Sequence, residues 1–153
     1  MADLNADCGM RSAELKNMNP IQSQNAERRM KSQTTEETSL KERTKSFALN
    51  VIKLVESLPK GRTAETIGRQ LLDAGTSVGA NYRAACRARS PADFISKMGI
   101  VEEDADETIY WMELLIKARL VQENDISGLL DEANQILAMT VSSIKTARGK
   151  TRR

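Results

Sequence analysis

From Leu40 onward, apolar residues recur every three or four positions, the spacing that is typical of an amphipathic helix. The first predicted helix ends at the Pro-Lys-Gly sequence of residues 59–61, because proline and glycine both stop helices. A second helix is predicted from an N-cap at Thr63 to Arg89. The apolar positions of these two helices are Phe47, Val51, Leu54, Val55, Leu58, Ile67, Leu71, Ala74, Val78 and Ala85.

The third helix has a strong start signal, the sequence Ser-Pro-Ala-Asp at residues 90–93. Serine is a favoured N-cap, proline is favoured at the first helical position, and an acid is favourable in the first turn. This helix is predicted to run to about Arg119, and a fourth helix from about Asp125 to Gly149. Their apolar positions are Phe94, Met98, Val101, Ala105, Met112, Leu115, Ile126, Leu129, Leu130, Ala133, Ile136, Leu137, Val141 and Ile144.

Four such helices predict an all-α fold, an antiparallel up-down four-helix bundle over residues 40–149. Short connections make successive helices neighbours, and this sets the up-down order. Residues 1–39 are rich in Ser, Thr, Asn, Gln and charge without a sustained apolar period, and therefore predict a disordered leader. Residues 150–153 are predicted to be a basic tail.

Histidine is absent from the 153 residues, and this excludes several classes of enzyme. Ser-His-Asp and Cys-His catalytic systems need it, as do histidine-containing zinc sites and the Glu-x-x-His pairs of di-iron bundles. We therefore expect no catalytic residue, no metal site and no cofactor. The longest apolar runs are too short to span a bilayer, and residues 1–10 lack the apolar segment of a secretory signal. The sequence thus favours a cytoplasmic protein without membrane contact.

An alternative is an enzyme built on acidic residues of the third helix. Glu102, Asp106 and Glu113 share a helical face, and carboxylates can bind Mg²⁺ or act as an acid–base pair. No nucleophile accompanies them. A solvated or salt-bridged helix face is therefore the better interpretation of these three acids.

The second helix contains Gly68, Gly75 and Gly79, and each glycine costs about 1 kcal/mol relative to alanine inside a helix. All three fall along one face of the helix. Close packing of this face against a neighbouring helix is the favoured interpretation. A ligand or partner lying against the same face is the alternative.

Asn81 falls on the apolar stripe of the second helix, where an amide must find hydrogen-bond partners. A lone asparagine on such a seam can fix the register of two helices or the oligomeric state. Thr76 and Ser77 lie close to it in sequence. We predict a structural polar network of Thr76, Ser77 and Asn81 rather than a ligand contact.

The third helix also carries a second apolar face, nearly opposite its core stripe. Ile100, Trp111 and Leu114 fall together on this face at 100° per residue. No helix of a four-helix bundle is central, so such a face is typical of a contact between subunits. These three residues predict a homo-oligomer, with Trp111 as an interface anchor.

Basic residues cluster around the second helix end and at the carboxyl terminus. A positively charged cluster of this kind is the usual electrostatic footprint of a protein that binds nucleic-acid phosphates. With few aromatic residues (3%), binding would be through the backbone of structured RNA or DNA, weakly sequence-selective and sensitive to salt. The alternative is a structural adaptor, in which the arginines pair with acids between subunits. The predicted nucleic-acid-binding residues are Arg83, Arg87, Arg89, Lys97, Lys145, Arg148, Lys150, Arg152 and Arg153.

The segment GTSVGANYRAACRARS at residues 75–90 resembles the signature of a bacterial four-helix-bundle family. The family is named for proteins encoded in intervening sequences of 23S ribosomal RNA genes. Further matches are Asp93-Phe94 with Lys97, Tyr110-Trp111, and residues 100–103, 105–108 and 143–148, so that the resemblance extends over about residues 40–149.

This resemblance implies a four-helix protomer in a ring-like homopentamer with a positively charged surface. This architecture resembles that of the accessory variability proteins of diversity-generating retroelements. Those proteins bind nucleic acid and assist a reverse transcriptase. The family has no catalytic motif, so the resemblance implies no catalytic residue here.

Overall fold

The computed structural model describes residues 39–151, with side chains described as far as Gly149. Its helices are α1 (Leu40–Ser57), α2 (Arg62–Ala85), α3 (Pro91–Lys117) and α4 (Glu123–Thr151). The predicted leader lies outside the described residues except for Ser39, whose hydroxyl accepts a hydrogen bond from the Glu42 amide (3.3 Å) and caps α1. In the predicted tail, residues 152–153 lie outside them as well.

The four helices form an antiparallel bundle, as the sequence predicted. Among neighbouring helices, contact is most extensive between α2 and α3 and least extensive between α1 and α4. Gly79 of α2 lies against Thr44 of α1, whereas Gly68 lies against Leu58, so α1 and α2 run in opposite directions. In this up-down order the α2–α3 turn and the carboxyl end of α4 lie at one end of the bundle. The α1–α2 and α3–α4 turns lie at the other end.

Apolar side chains from all four helices fill the interior of the bundle. Each helix contributes residues with no exposed surface, among them Val51, Leu71, Met112 and Ile136. The buried hydroxyl groups donate hydrogen bonds to backbone carbonyls of their own helices, and they belong to Thr44, Thr108, Thr140 and Ser143. The core therefore accommodates these polar atoms without cross-helix partners.

The glycines of α2 bring its backbone close to α1. A Cβ atom added at Gly75 would lie 2.8 Å from Cγ1 of Val51, well inside van der Waals contact. A Cβ atom at Gly79 would lie 3.3 Å from the backbone oxygen of Thr44. Close packing within the bundle is therefore confirmed as the reason for these glycines.

Two predicted helix ends are wrong. The N-cap of α2 is Gly61, and Thr63 lies in the first helical turn instead. The fourth helix does not end at Gly149 but continues to Thr151. A single glycine in an exposed position lowers helix stability by only about 1 kcal/mol, which is too little to interrupt a long helix.

The carboxyl end of α2 also differs from the prediction, because the helix ends at Ala85 and not at Arg89. Pro91 disfavours the helical conformation at the residue before it. Ser90 accordingly adopts an extended backbone (φ −155°, ψ 162°) and caps α3, which confirms the predicted start of that helix. The chain must leave α2 before Ser90 to reach this conformation.

Candidate nucleic-acid interface

Exposed basic side chains converge on the end of the bundle that holds the α2–α3 turn. Arg83 lies in the last turn of α2, and Arg87 and Arg89 lie in the turn itself rather than on the helix. Lys145 and Arg148 are exposed near the carboxyl end of α4, at the same end of the bundle. The two salt bridges of the described residues involve other side chains, so these five charges are available to a ligand.

The turn between α2 and α3 is fixed by hydrogen bonds to Asp93. The Asp93 amide donates to the Ser90 hydroxyl (3.1 Å), and the Asp93 carboxylate accepts from the Arg89 amide (2.9 Å). The other carboxylate oxygen is paired with the ammonium group of Lys97, one helical turn later. These bonds from Lys97 and the Arg89 amide hold the pKa of Asp93 below its usual range. The backbone that carries Arg87 and Arg89 is thus tied to the start of α3.

Lys97 differs from the other predicted phosphate contacts. Its side chain is half-buried and its charge is paired with Asp93. Because Asp93 balances the charge of Lys97, this lysine stabilises the turn and is less available to a ligand than the exposed basic residues. The remaining predicted contacts divide into the five exposed residues and a group outside the described side chains, Lys150, Arg152 and Arg153.

Acid is expected to weaken this turn. The pKa of Asp93 is lowered in the folded protein, so its carboxylate adds stability above the pKa of an unfolded aspartate, about 3.9. That stability is lost as the pH falls through the lower folded pKa. The melting temperature of Asp93→Asn should therefore be below that of the wild type at pH 7, and the difference should shrink below about pH 4. Asp73→Asn, at an exposed position, is the control, and equal melting temperatures at pH 7 would contradict the prediction.

Asn81 joins α2 to α3. Its side-chain amide donates to the carboxylate of Asp104 at 2.7 Å, and both side chains are partly buried. The Thr76 hydroxyl instead donates to the backbone carbonyl of Leu72 in its own helix (2.7 Å), and Ser77 is half-buried. The apolar stripe of α2 marks Asn81 in the sequence but does not indicate Asp104, because the pairing depends on how two helices meet.

Burial raises the pKa of Asp104 above its usual value. The hydrogen bond from Asn81 acts in the opposite direction, whereas the nearby charges of Glu107 and Glu103 add to the increase. The hydrogen bond from Asn81 thus partly offsets the effect of burial on Asp104. This supports a structural role for Asn81.

The outer face of α3 is partly apolar, as predicted, but its members differ in exposure. Ile100 is 45% exposed, whereas Trp111 and Leu114 are partly buried against the core. Tyr110, which was not among the residues predicted for this face, is 55% exposed. Its ring meets that of Trp111 edge-on, with 4.9 Å between the ring centroids. Its position next to Trp111 was the one sequence feature that could have placed Tyr110 on this face.

Residues 36–142 match the family model described as 23S rRNA-intervening sequence protein. The chain belongs to the 23S rRNA-intervening sequence protein family. A solved protein of unknown function from the S23 ribosomal protein family of Bacteroides thetaiotaomicron is 34% identical, with a TM-score of 0.65. That match covers 69% of this chain and 98% of the Bacteroides chain. No curated protein is similar enough to count as a relative.

The basic turn lies within the part of the chain that matches the 23S rRNA-intervening sequence family. Arg83, Arg87 and Arg89 fall inside residues 36–142, whereas Lys145 and Arg148 follow that range. The candidate interface therefore combines a cluster from the family region with a cluster from the last turns of α4.

Metal-binding groups and membrane-spanning helices were both sought among the described residues. Within residues 39–151, no group of His, Cys, Asp or Glu side chains is arranged to hold a metal ion. No helix of this part of the chain has the length and apolar content to cross a membrane. Of the acids considered as an alternative site, Asp106 and Glu113 are exposed, whereas Glu102 is partly buried.

Proposed function

We propose that this chain is a non-enzymatic, homo-oligomeric accessory protein that binds the backbone of structured RNA or DNA in the cytoplasm. The observation that carries the proposal is the group of five exposed, unpaired basic residues at one end of the bundle. They are Arg83, Arg87, Arg89, Lys145 and Arg148. Arginine is well suited to phosphate because its planar group can donate two parallel hydrogen bonds.

The surroundings of these residues favour contact with phosphates over contact with bases. The exposed large apolar residues of the described chain are Leu49, Ile100 and Tyr110, and none lies in the α2–α3 turn. Tyr82 and Phe94, the aromatic residues on either side of the turn, are only 1% and 3% exposed. Stacking of unpaired bases needs exposed aromatic rings. We therefore propose a ligand recognised by shape and charge, with little dependence on sequence.

Membership of the 23S rRNA-intervening sequence family supports RNA as the first ligand to test, because the family name refers to ribosomal RNA. Trp111 and Ile100 on the outer face of α3 support the homo-oligomer, since large apolar side chains at a surface are typical of subunit contacts. The ring-like pentamer implied by the resemblance is part of this proposal.

The test is fluorescence anisotropy with a structured RNA and a duplex DNA at about 50 and 200 mM salt. Affinity should fall by one or more orders of magnitude between these salt concentrations, because each phosphate contact releases counterions. Alanine replacement of Arg148, Lys150, Arg152 and Arg153 should weaken binding to all sequences and reduce its salt dependence. An intact oligomer without affinity at low salt would favour the structural adaptor instead.

A further inference from the structure

An aromatic ridge stands on the outer face of α3. It comprises Glu103, Glu107, Tyr110, Trp111 and Leu114. The single tryptophan of the chain and one of its two tyrosines meet here, and the Trp111 indole N–H donates to the Glu107 carboxylate at 3.0 Å. The ridge is thus apolar at its centre and acidic along its side, with both acids exposed.

A cleft of about 600 Å³ opens between α1 and α4, which have the least contact of the neighbouring helices. Apolar side chains line part of it, among them Leu54, Ile126 and Leu129. Lys53 and Arg119 bring positive charge to the same cleft. One turn before Lys53 on α1, Leu49 is 52% exposed, although it does not line the cleft.

The cleft also contains two acids, but one of them is already paired. Glu132 accepts two hydrogen bonds from the guanidinium group of Arg43, at 2.8 and 2.9 Å. The charges of the cleft without a described ion pair are therefore Lys53, Arg119 and Asp125, a positive excess. An acidic ligand with an apolar centre complements this surface.

Arg119 occupies a backbone position that favours glycine. Its φ of 57° lies in the left-handed region, and the amides of Arg119 and Leu120 close α3 by bonding to Ile116 and Leu115. A residue other than glycine in this conformation costs about 1 kcal/mol. A strained residue at a cleft is a pointer to function. Here it places a long basic side chain at the cleft.

We propose that the aromatic ridge of one chain docks in the α1–α4 cleft of a second copy. Glu103 and Glu107 would face the positive charge of Lys53 and Arg119, and the rings would cover the apolar lining. This inference rests on the homo-oligomer proposed above and names its two surfaces. Ridge and cleft share no residue, so each copy can use both at once. Such a head-to-tail contact closes into a ring when the rotation between copies allows it.

The decisive experiment compares two charge-reversed variants by size-exclusion chromatography with light scattering. The cleft variant carries Lys53→Glu and Arg119→Glu, and the ridge variant carries Glu103→Lys and Glu107→Lys. Each alone should lose assembly and elute as the 17.0 kDa monomer. Mixed in equal amounts they should assemble with each other, because the ridge of each variant is opposite in charge to the cleft of the other variant. The chain with all four reversals should assemble again.

Controls separate this inference from simple loss of folding or of net charge. Lys60→Glu with Arg62→Glu changes the charge by the same amount at the same end of the bundle and should leave assembly intact. Arg119→Gly should raise the melting temperature while weakening assembly about tenfold, an outcome that misfolding cannot produce.

The outcomes also distinguish this inference from the proposed function. A cleft variant that assembles like the wild type overturns the docking of ridge in cleft, whatever else the cleft binds, and leaves the oligomer standing. A monomeric wild type overturns the oligomer and this inference together. Nucleic-acid binding is measured separately in every variant. The arginines of the α2–α3 turn are unchanged in all of them, so this measurement tests the proposed function independently of assembly.

Discussion

Replacing Arg83, Arg87 and Arg89 together by alanine is expected to weaken binding of structured RNA and duplex DNA by about 100-fold at low salt. The estimate assumes roughly 1 kcal/mol for each arginine–phosphate contact. All three side chains are exposed and form no ion pair with the described residues, so their loss leaves no unpaired partner inside the protein. In a plot of log affinity against log salt, the slope should flatten by roughly 0.9 per lost duplex contact.

The matched control removes the same number of charges from the opposite end of the bundle. Lys60, Arg62 and Arg69 are exposed and lie at or near the α1–α2 turn. Their replacement by alanine changes the net charge equally, but it should alter affinity by less than about threefold, because it acts only through long-range electrostatics. Equal weakening in both variants would show that net charge, and not the α2–α3 turn, determines binding.

Gly75→Ala is expected to destabilise the bundle by about 1–3 kcal/mol. The added methyl group would meet the Cγ atoms of Val51 at 2.8–2.9 Å, and Val51 is fully buried. The clash outweighs the gain of about 1 kcal/mol that alanine brings to a helix. The free energy of unfolding from urea titration measures the balance.

Gly99→Ala tests the same substitution without the clash. Gly99 lies inside α3, and a Cβ atom there would have no other atom within 4 Å. Only the helix-propensity gain remains, so this variant should be more stable than the wild type by up to about 1 kcal/mol. Opposite signs for the two variants are the expected result. A loss of stability in both would mean that glycine is required for a reason other than contact with α1.

Local signals predicted the fold because the apolar stripe of each helix is visible in its own sequence. Ser90 with Pro91 also marks the start of α3. The end of α2 was missed for an equally local reason. Alanine and arginine at positions 84–89 favour helix, and the restriction that ends it comes from Pro91 several residues later. Gly149 predicted a helix end that is too early, since a helix that is packed along most of its length tolerates one glycine.

The candidate site was predictable in composition but not in arrangement. The ion pair of Lys97 with Asp93 has the four-residue spacing of helical salt bridges and could have been read from the sequence. The partner of Asn81 could not, because Asp104 lies 23 residues away on another helix. The cleft between α1 and α4 depends on the distance between two helices that are far apart in the sequence. No residue pattern along the chain encodes it directly.

The helical conformation of α4 near its carboxyl end has a consequence for how charge is presented. Lys145 and Arg148 lie three residues apart on α4, so their Cβ atoms are about 5–6 Å apart on one side of the helix. A flexible arm would lose backbone entropy, roughly 1–2 kcal/mol for each residue, when a ligand fixed it in place. The helix has already lost this entropy on folding. These two cations are therefore preorganised, and a phosphate backbone can meet them without first ordering the chain that carries them.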